Sequence, residues 1–294
     1  MSSLQASSDS ENQQSHNQIA LLLLLGLLVL RLPFFAGVPF FTSSPPNWLS
    51  PVFEVGTYLL TLSLIWWERA RLAEYHIDIL VVVIIVFLKP IETIILSTFG
   101  KGGGTFPLAF PGIPAIVIWI SAIGLVAALL FQHTKLPRIQ GKTVIWFIAG
   151  TLIGIVTAIL LAYPVTLQLG NGNRPITLPS FDLYNILVQG FIYQLGYAAV
   201  TEEPLFRGFL WGYLRRAGWR EVWIWLFQAG LFWVGHIYYL GKLPISFWLV
   251  VPAGGLILGL LAWRSRSIAT SMAAHAAMNG LTLTFAYLIM FYQH

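Results

Sequence analysis

Apolar runs of about 17 to 25 residues, separated by short polar connections, dominate the chain, and this pattern predicts helices that cross a bilayer. Such runs lie at 52–67, 77–99, 112–131, 143–163, 183–213, 222–240, 245–263 and 268–292. A further run begins at Ile19 and continues past Arg31 and Pro33 toward Phe41, a spanning length if Arg31 packs inside or snorkels. Nine spans result, or eight if Pro33 and Pro39 bend the first run into a re-entrant piece. The predicted fold is all-α, a polytopic transmembrane helical bundle of about eight or nine spans. Ahead of it, residues 1–18 are rich in Ser, Gln and Asn and carry no Lys or Arg, so they lack the basic start of a secretory signal. The chain therefore divides into a polar disordered tail (1–18), N-terminal transmembrane helices (19–182) and a C-terminal helical core (183–294).

Composition sharpens the picture. Hydrophobic residues make up 57% of the chain and charged residues 9%, with a mean hydropathy of +0.77. A soluble domain carries roughly a quarter charged residues, so lipid is the main solvent of this one. The net charge of +5 could suggest nucleic acid, but the basic residues occupy short loops between apolar runs. Arg69 and Arg71, then Lys135, Arg138 and Lys142, then Arg215, Arg216 and Arg220, then Arg264 and Arg266 fall in alternate connections, whereas the opposite loops hold Lys101, Arg174 and Lys242. The positive-inside rule puts the first set in the cytosol together with the N-terminus, making this a multi-pass integral membrane protein with no nucleic-acid partner. Cysteine is absent, which excludes disulfides, thiolate metal sites and a cysteine nucleophile.

Several features read as scaffolding. Gly150-x-x-x-Gly154, Gly208-x-x-x-Gly212 and Gly255-x-x-x-Gly259 allow close helix approach in lipid. The Lys101-Gly102-Gly103-Gly104-Thr105 stretch lacks the order of a phosphate loop and reads as an extramembrane turn. Trp66, Trp67, Trp223 and Trp225 near predicted span ends fit interfacial belts.

Three constellations are not scaffolding. Glu202-Glu203-Pro204-Leu205-Phe206-Arg207, Phe232-Trp233-Val234-Gly235-His236 and His275-Ala276-Ala277-Met278-Asn279 place ionisable and amide groups in apolar runs, where they are costly and normally face a cavity or a partner. Glu203 and Arg207 are spaced i, i+4 and can neutralise one another, while Glu202 points about 100° away. Pro204 disfavours helical geometry at Glu203 and predicts a local break. His275 and Asn279 again share a face. At about 1.5 Å per residue, Glu202 lies about 20 Å above Arg215, His236 about 21 Å above Val222, and His275 and Asn279 about 11 and 17 Å above Ile268, so the groups fall in one slab of membrane.

At these residues the chain resembles the type II CAAX prenyl protease family, also called the CPBP or Abi family of intramembrane glutamic endopeptidases. Its pattern of E-E-x-x-x-R, F-x-x-x-H and H-x-x-x-[NB] is present in order, within about residues 183–285. The resemblance implies a membrane-embedded endopeptidase in which Glu202 and His236 activate a water, Glu203 is held by Arg207, and His275 and Asn279 stabilise the oxyanion. It also implies membrane lipid as surroundings, a protein or peptide substrate, lipidated or not, and no cofactor. Elementary chemistry agrees: a carboxylate in a low-dielectric cavity suits a general base, and donors aimed at a developing oxyanion are a large catalytic term.

Other chemistries are weighed against this. The chain has no H-E-x-x-H, no G-x-S-x-G and no Gly-x-Gly-Asp signature. A zinc site of Glu202, His236 and His275 is open to this residue set but not favoured. A membrane scaffold or immunity protein of the same family is the non-enzymatic alternative, and a transporter with a midplane polar site is a third.

Overall fold

Nine continuous helical segments, with no strand among the described residues, form the bundle. The computed structural model describes residues 2–32, 48–99, 112–169, 190–241 and 243–293. The helices are α1 (Ser2–Leu30), α2 (Leu49–Trp67), α3 (79–99), α4 (Ile113–Phe131), α5 (Gly141–Leu169), α6 (190–216), α7 (Glu221–Val234), α8 (Ser246–Ser265) and α9 (Ile268–Gln293). Five of them, α2, α4, α5, α8 and α9, are each long and apolar enough to cross a membrane. Segments α3 and α6 reach comparable lengths as mixtures of α and π turns. The loop residues Lys101, Arg174 and Lys242 and the glycine-rich turn at 101–105 lie outside the described residues.

Helix α9 is the axis of the bundle. From Ile268 to Met278 every residue is buried, which a helix can tolerate only if its side chains are small. Ala269, Ala273, Ala274, Ala276 and Ala277 supply that. The Gly150/Gly154 pair does what its spacing suggests: a Cβ at Gly154 would meet the Ala274 carbonyl oxygen at 2.5 Å and the Ala277 Cβ at 2.8 Å, so only glycine lets α5 lie against α9. By contrast, the outer faces of α4 and α5 present Ile120, Ile123, Ile145 and Leu160 outward, as lipid-facing surfaces do.

The connections predicted to share one side do meet. Glu68 pairs with Arg71 at 3.2 Å and Arg216 at 3.6 Å, Arg215 donates to His76 Nε2 at 3.1 Å, Arg266 pairs with Glu221 at 3.1 Å, and Ser267 donates to Asp78 at 2.8 Å. The connection after α4 joins them through the Ile79 N–H, which donates to the Pro137 carbonyl at 2.9 Å. Each of these four loops is separated from the next by two helices, so they can meet only if the two helices of each pair run in opposite directions. The polar stretch at residues 2–18, expected as a disordered tail, instead continues α1. It contains neither Pro nor Gly to interrupt a helix, and at its end the His16 ring stacks on Trp67 with centroids 5.1 Å apart.

Two local expectations change. The break expected at Pro204 is absent: Glu203 keeps helical angles (φ −64°, ψ −42°), and residues Pro204–Leu210 adopt a π-helix, whose wider turn accommodates a residue without an N–H. The span expected at 222–240 ends at Val234, where Gly235 and His236 turn the chain into a short 3₁₀ segment, Ile237–Tyr239. His236 therefore sits just past a helix end, not on a helix.

Candidate active site

That helix end determines how His236 is presented. The last carbonyls of a helix have no partner within it. Here the His236 N–H bonds to the Trp233 carbonyl at 2.9 Å, leaving the Phe232 carbonyl to accept from the imidazole Nδ1 at 2.8 Å. A carbonyl only accepts, so Nδ1 carries the proton. In the neutral ring the Nε2 lone pair is then bare, and it faces Glu202 Oε1 at 4.0 Å.

Glu202 and Glu203 diverge as their spacing around the helix requires. Glu203 is fully buried and accepts from Arg207 at 3.1 Å along the same helix, which is the expected i, i+4 pair. Its Oε1 also lies 2.8 Å from His275 Nδ1. Arg207 in turn donates to the Gly255 carbonyl at 3.2 Å, and its guanidinium lies 4.4 Å from the centre of the Phe232 ring. Three helices and the turn bearing His236 are thus tied through one buried pair.

Glu202 faces the opposite way, toward a cavity of about 760 Å³, a size typical of ligand sites. Its Oε2 is 3.7 Å from His275 Nε2. Asn279 stands one turn further along α9 on the same cavity wall, more exposed than His275, with its amide N–H 3.5 Å from Gln194 Oε1. The structure brings His236 and His275 within 4.0 Å of Glu202 and leaves the more exposed Asn279 on the wall of the same cavity.

A residue outside the three constellations completes the cluster. Arg31, where α1 ends, donates to Glu202 Oε1 at 3.1 Å and to the Thr201 carbonyl at 2.9 Å, and it is 4% exposed. It packs inward and does not snorkel. The signal available in the sequence was one charge interrupting an apolar run; nothing in local spacing could connect it to a partner 171 residues away. Gln194 was likewise missed.

Among the described residues no three His, Asp or Glu side chains converge in a way that could hold a metal ion. The Arg31 guanidinium, bonded to Glu202 Oε1 at 3.1 Å, would repel a dication placed at that carboxylate.

Comparison with known proteins adds a family likeness. Residues 184–281 match the family model of the type II CAAX prenyl endopeptidase, Rce1-like. The match covers a third of the 294-residue chain and includes all three constellations. It supports, at family level, a membrane endopeptidase of the CAAX-protease kind. No curated protein and no solved structure matches this chain. Arg31 lies outside the matched segment.

Proposed function

We propose that the chain is an intramembrane endopeptidase in which a water held between Glu202 and His236 attacks a peptide carbonyl. The observation that carries this reading is a pair of lone pairs left over: that of His236 Nε2, bare because Nδ1 is committed to Phe232, and the one that Glu202 Oε1, 4.0 Å away, keeps beyond its bond from Arg31. Two acceptors cannot bond each other. A molecule with two protons to donate, such as water, fits between them and is polarised toward hydroxide.

In the reaction the water oxygen bonds to the carbonyl carbon and its proton passes to the Glu202/His236 pair. The carbonyl π electrons move onto oxygen, forming the tetrahedral oxyanion. The Asn279 amide has a second N–H to offer it, one beyond that directed at Gln194. His275 has its Nδ1 committed to the Glu203 carboxylate, so it can donate from Nε2 only when both ring nitrogens are protonated. Glu203 suits that role, because it steadies an imidazolium while Arg207 keeps its own charge balanced. Collapse of the intermediate breaks the C–N bond, and the stored proton goes to the leaving amine. No acyl-enzyme forms and no metal takes part. The substrate is a protein or peptide segment, lipidated or not, for which Leu49, Phe53, Val165 and Leu283 provide an apolar cavity wall.

Mass spectrometry of membrane-protein termini tests this reading, comparing cells that express the parent, Glu202→Gln or His236→Ala at equal levels. New termini with the parent alone are expected. The same termini in all three would overturn it.

A further inference from the structure

Glu203 has its counter-ion in the next turn of its own helix, but Glu202 has none in the matched segment. Its neighbours there are two imidazoles at 3.7 and 4.0 Å, beyond hydrogen-bond distance. A carboxylate in so enclosed a place tends to neutralise itself by taking up a proton, and a protonated Glu202 could not serve as a base. The cation that prevents this comes from the far end of the sequence.

Arg31 reaches Glu202 with one arm of its guanidinium and anchors the other on the Thr201 carbonyl, one residue earlier in α6. Two hydrogen bonds from one planar group to two points of the same helix turn fix both the distance and the direction of the approach. The guanidinium lies over the rings of Phe53 on α2 and Phe206 on α6, 5.2 Å from each ring centre, which adds two cation–π contacts. With Oε1 held this way, the carboxylate has one orientation, in which Oε2 faces His275 and the remaining lone pair of Oε1 faces His236. The two carboxylates and two guanidiniums of the cluster are then balanced before any substrate arrives.

We infer that Arg31 is a positioning residue for Glu202: through it the N-terminal helix holds the base ionised and aimed, and the catalytic machinery extends beyond the segment that the family model matches. This rests on the proteolytic reading above. The alternative is that Arg31 merely fastens α1 to the bundle.

The two roles separate in a set of variants purified in nanodiscs: Arg31→Gln, Arg31→Lys, Glu202→Gln and the double variant Arg31→Gln/Glu202→Gln. The readouts are melting temperature and cleavage kinetics on a peptide derived from the termini found above. Arg31→Gln is expected to lower kcat by about 10²-fold with KM changed less than about threefold, the cost of a misplaced group. Arg31→Lys should restore part of that kcat by returning the charge without the fork. The melting-temperature losses of the two single Gln variants should exceed, in sum, the loss in the double variant. Additive losses would overturn the pairing, whether or not cleavage is detected. Parental kcat in Arg31→Gln, in a series where Glu202→Gln is inactive, would overturn the positioning role. Cleavage by Glu202→Gln itself would instead sink the proteolytic reading, leaving the thermal comparison to decide the ion pair.

Discussion

Among the described residues, two clusters of charge buried between the spanning helices invite comparison, and one of them has the makings of a site. In the first, Lys89 is fully buried on α3 and donates to Glu54 of α2 at 2.5 Å and to Glu92 one turn away at 2.8 Å. In the second, Glu202 stands 4.0 Å from His236 and 3.7 Å from His275, and all three line a cavity. The lysine cluster does not line that cavity, so the one carboxylate oxygen it leaves without a partner, Glu92 Oε1, faces no accessible space; the cluster lies behind Tyr197, whose ring is 5.1 Å from Lys89 Nζ. Burial of charge in a membrane marks expense, not function. Function is marked by polar atoms whose bonding capacity is left over and turned toward accessible space.

The largest expected effects compare the two buried cations. Lys89→Met and Arg207→Ala each leave carboxylates without their partner, a change that typically costs about 3–5 kcal/mol. Both should therefore lower the melting temperature strongly. The folded fraction of Lys89→Met should cleave at the parental rate, whereas that of Arg207→Ala should be impaired, because Glu203 then loses its hold on the His275 ring. Equal activity per folded molecule in the two variants would erase the distinction between the clusters.

Asn279→Ala comes next. Loss of one oxyanion donor usually costs about 10²- to 10³-fold in kcat. Since the present partner of Asn279 is Gln194 at 3.5 Å in an exposed setting, little stability should go with it. A variant that melts well below the parent but turns over normally would make Asn279 helix-to-helix glue.

The smallest effect concerns the polar face, where the four loops meet. His76 lies outside the spans, and burial, followed by the charges of Arg215 and Arg266, pushes its pKa down from 6.5 to about 3. The unfolded chain binds a proton near pH 6.5 that the folded chain refuses until about pH 3. Stability contributed by His76 is thus complete above 6.5 and is lost as pH falls through that window. Between pH 6.5 and 4 the melting temperature of the parent should fall more steeply than that of His76→Asn. Parallel slopes would mean that His76 is not held neutral.

What the sequence reveals follows the range of the interactions. The Glu203–Arg207 pair and the notch of Gly150 and Gly154 are each formed within about one helical turn, so spacing alone announced them, though not that α9 fills the notch. Alternation of basic loops is a property of the whole chain, and it foretold which connections would share a side. Arg31 was not legible, since its partner is brought near only by packing α1 against α6. The Pro204 break was misjudged because a π turn absorbs the missing donor, a choice local propensity does not encode. The helix end at Gly235 was hidden within an apolar run, yet it is what fixes the tautomer of His236.

The central claim is that catalysis resides in the leftover acceptors of Glu202 and His236. It is tested most directly by single-turnover cleavage of a membrane-spanning peptide in nanodiscs, with parent, Glu202→Gln and Lys89→Met compared per folded molecule in the presence of a strong chelator. Cleavage by the parent and Lys89→Met, with none by folded Glu202→Gln, is the expected result. Cleavage by Glu202→Gln, or its loss in the parent on chelation, would contradict the account.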